Sequence, residues 1–213
     1  MIWGVALAAV SGSVFGLIIL VKNSKSLNQF GSLVVPVTEA DRSKGPANAE
    51  SVLVEYSDFQ CPACKNYYPI LKQLNEEFGG KLKFVYRHFP LSQIHANAKL
   101  AAYAAEAAGE QGKFWEMHDW LFEHQDDWAK KSAGETANDF ISFTQSLGLD
   151  EEKFKKDLDS EEIKRMVDES YNGGIGAGVN STPTFFLNGK KLVQPRSSEE
   201  FKKVINDSIN ADP

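Results

Sequence analysis

Residues 52–64 read Val52-Leu53-Val54-Glu55-Tyr56-Ser57-Asp58-Phe59-Gln60-Cys61-Pro62-Ala63-Cys64. The run 52–56 is short, mostly apolar and rich in β-favouring residues, which predicts a buried strand. A turn over 57–60 leads into Cys61. From Cys64 to Phe78 the apolar residues Tyr68, Leu71, Leu74 and Phe78 recur at helical spacing, so a helix is expected there. Pro69 lies inside it and predicts a kink, because proline removes a donor and crowds the preceding turn. Gly79-Gly80 ends the helix, and residues 82–89, Leu-Lys-Phe-Val-Tyr-Arg-His-Phe, predict a second strand. Both cysteines thus fall at a strand-to-helix junction within a β–α–β unit.

That placement has chemical consequences. At a helix N-terminus, unpaired backbone amides and the helix dipole favour an anion. The thiolate, not the thiol, attacks in disulfide exchange. Cys61 at the first position is therefore the expected exposed nucleophile. Cys64, one turn inside, is the expected buried thiol that closes the ring and resolves a mixed disulfide. Pro62 suits the first helical turn, where its fixed φ fits and no donor is needed. A zinc site would need further ligands, and none of the four histidines forms a compact pair with the motif. A purely structural bridge closing so short a loop would constrain little chain entropy.

The bulk composition narrows the class. The 213 residues suit one globular domain plus a short appendage, and 42% hydrophobic with 24% charged residues is an ordinary globular balance. The formal net charge of −6 and the absence of a dense basic run argue against nucleic acid. Two cysteines in 213 residues exclude a disulfide-stapled miniprotein.

Toward the N-terminus, residues 2–21 carry no charge. About 20 apolar residues at about 1.5 Å each span a hydrocarbon core of about 30 Å, so residues 1–21 read as an uncleaved transmembrane anchor, with a cleaved signal sequence as the alternative. Lys22 and Lys25 follow the run, which by the positive-inside rule opposes an extracytoplasmic domain; the thiol chemistry favours one, and we take that orientation. Residues 22–50 read as a polar linker with a reach on the order of 30 Å; its apolar patch, 33–37, leaves open a pairing as an edge strand.

Beyond the second strand lies a helical block. Residues 96–108 are rich in Ala and Leu, and helical spacing recurs over 114–122, 139–147, 150–158 and 161–171 before Gly173, Gly174, Gly176 and Gly178 break it. Thr184-Phe185-Phe186-Leu187 then predicts a strand, Asn188-Gly189 a two-residue hairpin, and residues 191–193 the returning strand. Ser197 or Ser198 caps a closing helix, with Glu199-Glu200 at its positive end. Pro183 precedes the strand, where no ladder donor is required. On the residues alone, Thr182–Pro183 reads as an ordinary trans bond.

Taken together, residues 55–65, then Gly112-Lys113-Phe114-Trp115, then residues 181–189 resemble the DsbA family of thioredoxin-fold disulfide oxidoreductases, and the likeness runs from about residue 51 to the C-terminus. It implies an α/β thioredoxin domain over 51–213 with a helical insertion at about 93–172, behind the transmembrane helix and linker. It implies a cis bond at Pro183 beside the Cys61 sulfur, with Thr182 backbone groups turned to an incoming chain. It also implies a buried acid at Glu55, which burial in an apolar run would shift upward in pKa and which would relay the Cys64 proton; on the residues alone, an edge-facing, solvated Glu55 stays open. Some relatives carry His between the cysteines. Here Ala63 stands, so Cys61 is expected to titrate above the value of about 3.5 in DsbA and nearer the value of about 7 in thioredoxin.

The resemblance implies a dithiol oxidase that introduces disulfides into folding proteins, needs no cofactor or metal, and is reoxidised by a membrane quinone-linked thiol oxidoreductase. Two alternatives remain open: a reductase or isomerase of the same fold, and a membrane-tethered, chaperone-like peptide-binding module.

Overall fold

The computed structural model describes residues 31–210. The expected anchor at 1–21 and the start of the linker lie outside them. Among the described residues no helix is long and apolar enough to cross a membrane.

A five-stranded sheet runs in the order β1-β3-β2-β4-β5, formed by Arg42–Lys44, Leu82–His88, Ser51–Ser57, Thr184–Leu187 and Lys190–Lys191. β2 and β3 are parallel and joined by α1, Pro62–Phe78; the other pairs are antiparallel. After β3 comes the inserted block: α2 (Ala98–Gly109), α3 (Phe114–Glu123), α4 (Gln125–Trp128), α5 (Ala133–Ser146), α6 (Glu151–Leu158) and α7 (Glu161–Gly176). α8, Ser198–Ile209, closes the domain. This is a thioredoxin-like α/β fold with a helical insertion.

Strand alternation sorts the side chains between two cores. On one face Leu53 of β2 and Phe84 and Tyr86 of β3 join the larger core with Cys64, Leu71 and Leu74 of α1 and Phe122 and Trp128 of the insertion. On the other, Val54, Tyr56, Val85 and Phe186 pack with Phe89, Ala177 and Val179. Glu55 shares parity with Leu53 and pairs in register with Tyr86, so its carboxylate is forced into the larger core. Its exposure is 2%. The solvated alternative is thereby removed.

Three local expectations need correction. Residues 32–50, expected as linker, are folded onto the domain from Ser32 onward. Ser32 bridges to Lys190, Leu33 N–H donates to Gly189 O at 2.8 Å, and β1 lies antiparallel on β3. The cause sits 46 residues further on: Arg87, 5% exposed, points to the far face and donates to Val35 O, Pro36 O and the Asp41 carboxylate. Second, Gly173 and Gly174 do not end α7, which continues to Gly176. A Cβ on Gly174 would lie 2.6 Å from Phe89 Cδ2, so glycine here permits close packing of helix on loop. Pro69, where a kink is expected, lies inside α1. At the hairpin, Asn188 and Gly189 both take positive φ, 48° and 78°, as a two-residue turn of this kind requires. Third, the return strand is Lys190–Lys191 rather than 191–193.

Candidate active site

Cys61 is the N-cap of α1, with extended backbone (φ −74°, ψ 122°) and Pro62 immediately inside the helix. The approach to it is tied down on every side. Cys61 N–H donates to Asp58 O at 3.0 Å and Gln60 N–H to Asp58 Oδ1 at 2.8 Å. Asp58 Oδ2 accepts from Leu91 N–H at 2.9 Å and lies 2.7 Å from His95 Nδ1. From α4, Gln125 Nε2 donates to Phe59 O at 2.6 Å and Cys61 O at 3.1 Å. The inserted helices thus hold the turn that presents the first cysteine. Neither Gln125 nor Asp58 was singled out from the sequence. Asp58 sits two residues before Gln60, an Asx-turn spacing that offers a signal; Gln125 offers none.

The Thr182–Pro183 bond is cis. Thr182 O lies 3.5 Å from the Cys61 sulfur, within reach of the thiol form as donor. Cys61, Cys64, Thr182 and Pro183 are brought together, with Ala63 exposed on the helix start and Pro62 beside it. Both cysteines are free thiols, and Cys61, expected to be exposed, is instead largely covered at 7% exposure, against 1% for Cys64.

The electrostatics separate the two sulfurs. Cys61 is lowered from 9.0 to about 5, first by a hydrogen bond from Cys64, against the opposing effect of burial, and further by Thr182 and the backbone N–H groups of Cys64 and Ala63. Cys64 is pushed well up by burial, by its hydrogen bond to Cys61 and by the nearby Glu55 charge. Glu55 is raised from 4.5 to about 8, chiefly by burial, although Ser57 Oγ donates to it at 2.8 Å. Near neutral pH the site therefore holds a Cys61 thiolate, a Cys64 thiol and a Glu55 that carries a proton. The pKa of about 5 lies midway between the two values weighed from the sequence. Ala63 has no imidazole to offer, yet its backbone N–H and the Cys64 thiol supply donors in its place.

His95 is raised by its bond to Asp58, which favours its protonated form at this end of the molecule. The arrangement can accept a sulfur at Cys61, hold an extended chain against Thr182, and move one proton between Cys64 and Glu55.

Residues 37–207 match the family model described as thioredoxin. Among solved structures, BdbD from Bacillus subtilis (oxidised) superposes with a TM-score of 0.74 at 24% identity, covering 85% of this chain and 99% of that one. Wolbachia pipientis alpha-DsbA1 gives 0.72 at 19% identity, over 83% and 94%. Among curated proteins, Na(+)/H(+) antiporter NhaA 1 of Salinispora arenicola is 38% identical over 160 residues, 75% of this chain but 23% of that protein. NhaA 1 of Mycobacterium sp. (strain KMS) is 39% identical over 170 residues, 77% and 26% respectively. The chain spans about a quarter of the length of these curated relatives.

Proposed function

The chain belongs to the thioredoxin family and has the DsbA-type fold, and from that premise we propose that it is a thiol–disulfide oxidoreductase acting as a dithiol oxidase on folding proteins. The observation that carries this is the split between the two sulfurs: an anion-favouring Cys61 at the helix start above a sealed, neutral Cys64. A low Cys61 pKa stabilises the reduced pair, which makes its disulfide the more oxidising partner. In the forward reaction a substrate thiolate attacks the Cys61 sulfur of the Cys61–Cys64 bridge, and Cys64 leaves with the electron pair and takes a proton. A second substrate thiolate then displaces Cys61, which departs as its stable thiolate.

We place the domain outside the cytoplasm, tethered by residues 1–21, with a membrane quinone-linked thiol oxidoreductase restoring the bridge. Support comes from the uncharged run 2–21 and from the oxidising compartment such chemistry needs. The antiporter name borne by the curated relatives belongs to proteins about four times as long as the matched stretch, and the dithiol site described above calls for no ion transport.

The test is oxidation of a reduced two-thiol peptide by the disulfide form. Cys61→Ser abolishes it, and Cys64→Ser, first charged at Cys61 with oxidised glutathione, exchanges glutathione for the peptide and accumulates that mixed disulfide, seen by mass spectrometry. An oxidase rests with Cys61 and Cys64 bridged in cells; a resting dithiol would instead make it a reductase or isomerase. Undiminished peptide binding and biological activity in a double Cys→Ser variant would make it a binding module.

A further inference from the structure

Beneath the thiol pair lies a narrow cavity between β1, β2, α1 and α3, where Lys44, Glu55, Cys64, His118 and Asp119 meet apolar walls. Its free volume of about 20 Å³ has room for one water, which needs about 10–15 Å³.

His118 links this space to the outside. Its Nδ1 lies 2.8 Å from Asp119 Oδ1. Asp119 is held below the usual carboxylate range despite burial, by its bond to His118 and by nearby Lys44 and Lys72. An ionised carboxylate only accepts, so Nδ1 carries the hydrogen. That leaves Nε2 as a bare lone pair, and this atom is buried without a partner. An unpaired buried polar atom costs about 1–3 kcal/mol, and a water in the adjoining cavity removes that cost. Burial pushes the imidazole pKa down, so the ring rests neutral and able to accept. Lys44 from β1 and His88 from β3 also face it with charge or potential charge, Tyr86 from β3 and Tyr68 from α1 pack on it, and Glu55 faces the same cavity from β2. The Asp119 side chain is 27% exposed and meets solvent.

We propose that His118, through one water in this cavity, carries the proton of Cys64 from Glu55 out to Asp119 and solvent. The inference rests on Cys61 and Cys64 being the exchanging pair. When the bridge closes, the Cys64 sulfur attacks the Cys61 sulfur of a mixed disulfide. The bond from Cys61 to its partner breaks, and the partner leaves with the electron pair as a thiolate. Glu55, which rests protonated, first gives its proton through the water to His118 Nε2, and the imidazolium releases its Nδ1 proton to Asp119. The Glu55 carboxylate so formed takes the Cys64 proton. Bridge opening runs the same path in reverse. Glu55 is thereby reset without direct contact with bulk water, and His118 acts as a positioning and relay residue that never touches substrate.

The experiment follows bridge closure in the reduced full chain with oxidised glutathione across pH, in wild type, His118→Asn, His118→Ala and Asp119→Asn. Loss of a proton-transfer partner predicts closure slowed at least about tenfold near neutral pH, with the Cys61 thiolate midpoint unmoved. In His118→Ala, added imidazole restores the rate, while wild type ignores it. Wild-type closure in a folded His118→Asn protein overturns the proposal, and so does a slow variant whose pH profile keeps its shape and which imidazole fails to rescue. Should both His118 variants fail to fold, Asp119→Asn, which keeps an acceptor for Nδ1 but takes up no proton, carries the rate and pH readouts. If wild type itself does not exchange with glutathione, the parent reading fails instead.

Discussion

Replacing Glu55 by Gln should stabilise the reduced protein in a way that depends on pH. Glu55 titrates at about 8 in the fold, against an ordinary value of 4.5, because burial penalises its charge. Between those values the native state holds a proton that the unfolded chain has released. Stability therefore falls as pH rises through this window, being undiminished below the unfolded value and fully reduced above the folded one. At pH 7 the window has been crossed for about two and a half pH units at about 1.4 kcal/mol each, so the carboxyl costs about 3 kcal/mol there, approaching about 5 kcal/mol above pH 8. Gln keeps the acceptor for Ser57 Oγ and cannot ionise. Urea unfolding of both proteins in the dithiol form should show Glu55→Gln gaining about 3 kcal/mol more at pH 7 than at pH 4. With m of about 2 kcal/mol/M, that is a midpoint shift of about 1.5 M. A gain equal at both pH values would mean that Glu55 is ionised in the fold, and the argument from burial would be refuted.

Titrating thiolate absorbance, with Cys61→Ser as blank, should give a midpoint of about 5; a midpoint near the free-thiol value of about 8.5 would show that the helix start and the Cys64 donor do not act on Cys61. Gly174→Ala pushes a methyl group to 2.6 Å from Phe89 and should destabilise by about 1–3 kcal/mol, read as a lower thermal midpoint with the Cys61 titration unchanged. Asp41→Ala breaks the pair with buried Arg87 and should cost about 3–5 kcal/mol. It should also open residues 33–41 to proteolysis, and protection equal to wild type would show that this segment is held by other contacts.

The β–α–β unit was legible because each signal in it is local. Period-two and period-3.6 spacing lie side by side, Pro62 marks the first turn, and paired glycines mark the end. The Asn188-Gly189 hairpin was legible for the same reason. β1 was not. Arg42–Lys44 has no apolar alternation, and what holds it is the backbone of β3, some forty residues away, with Arg87 reaching back to two carbonyls. Gly174 misled because glycine marks both helix ends and close packing, and only the position of Phe89 distinguishes them. Glu55 stood between two readings until its register opposite Tyr86 and the helices above it were known. The Cys61 pKa was legible only as a range, because the Cys64 donor and the backbone N–H groups at the helix start act on it whatever residue stands at position 63.

The inserted helices seal the site. A strand, a helix and a cis proline are enough to bring two thiols and a backbone carbonyl together, but not to shut Cys64 and Glu55 off from bulk solvent. Phe122 and Trp128 are fully buried in the same core as Cys64, and Gln125 fastens the Phe59 and Cys61 carbonyls. Phe59 itself stacks on Tyr86 beneath the site, with ring centroids 4.9 Å apart. That packing excludes bulk solvent, and removal from bulk solvent is what raises both Glu55 and Cys64. A residue sealed this well cannot exchange its proton with bulk solvent directly. The seal that separates the two sulfurs thus creates the need for a proton path, and α3, which supplies part of the seal, also carries the imidazole and carboxylate that provide one.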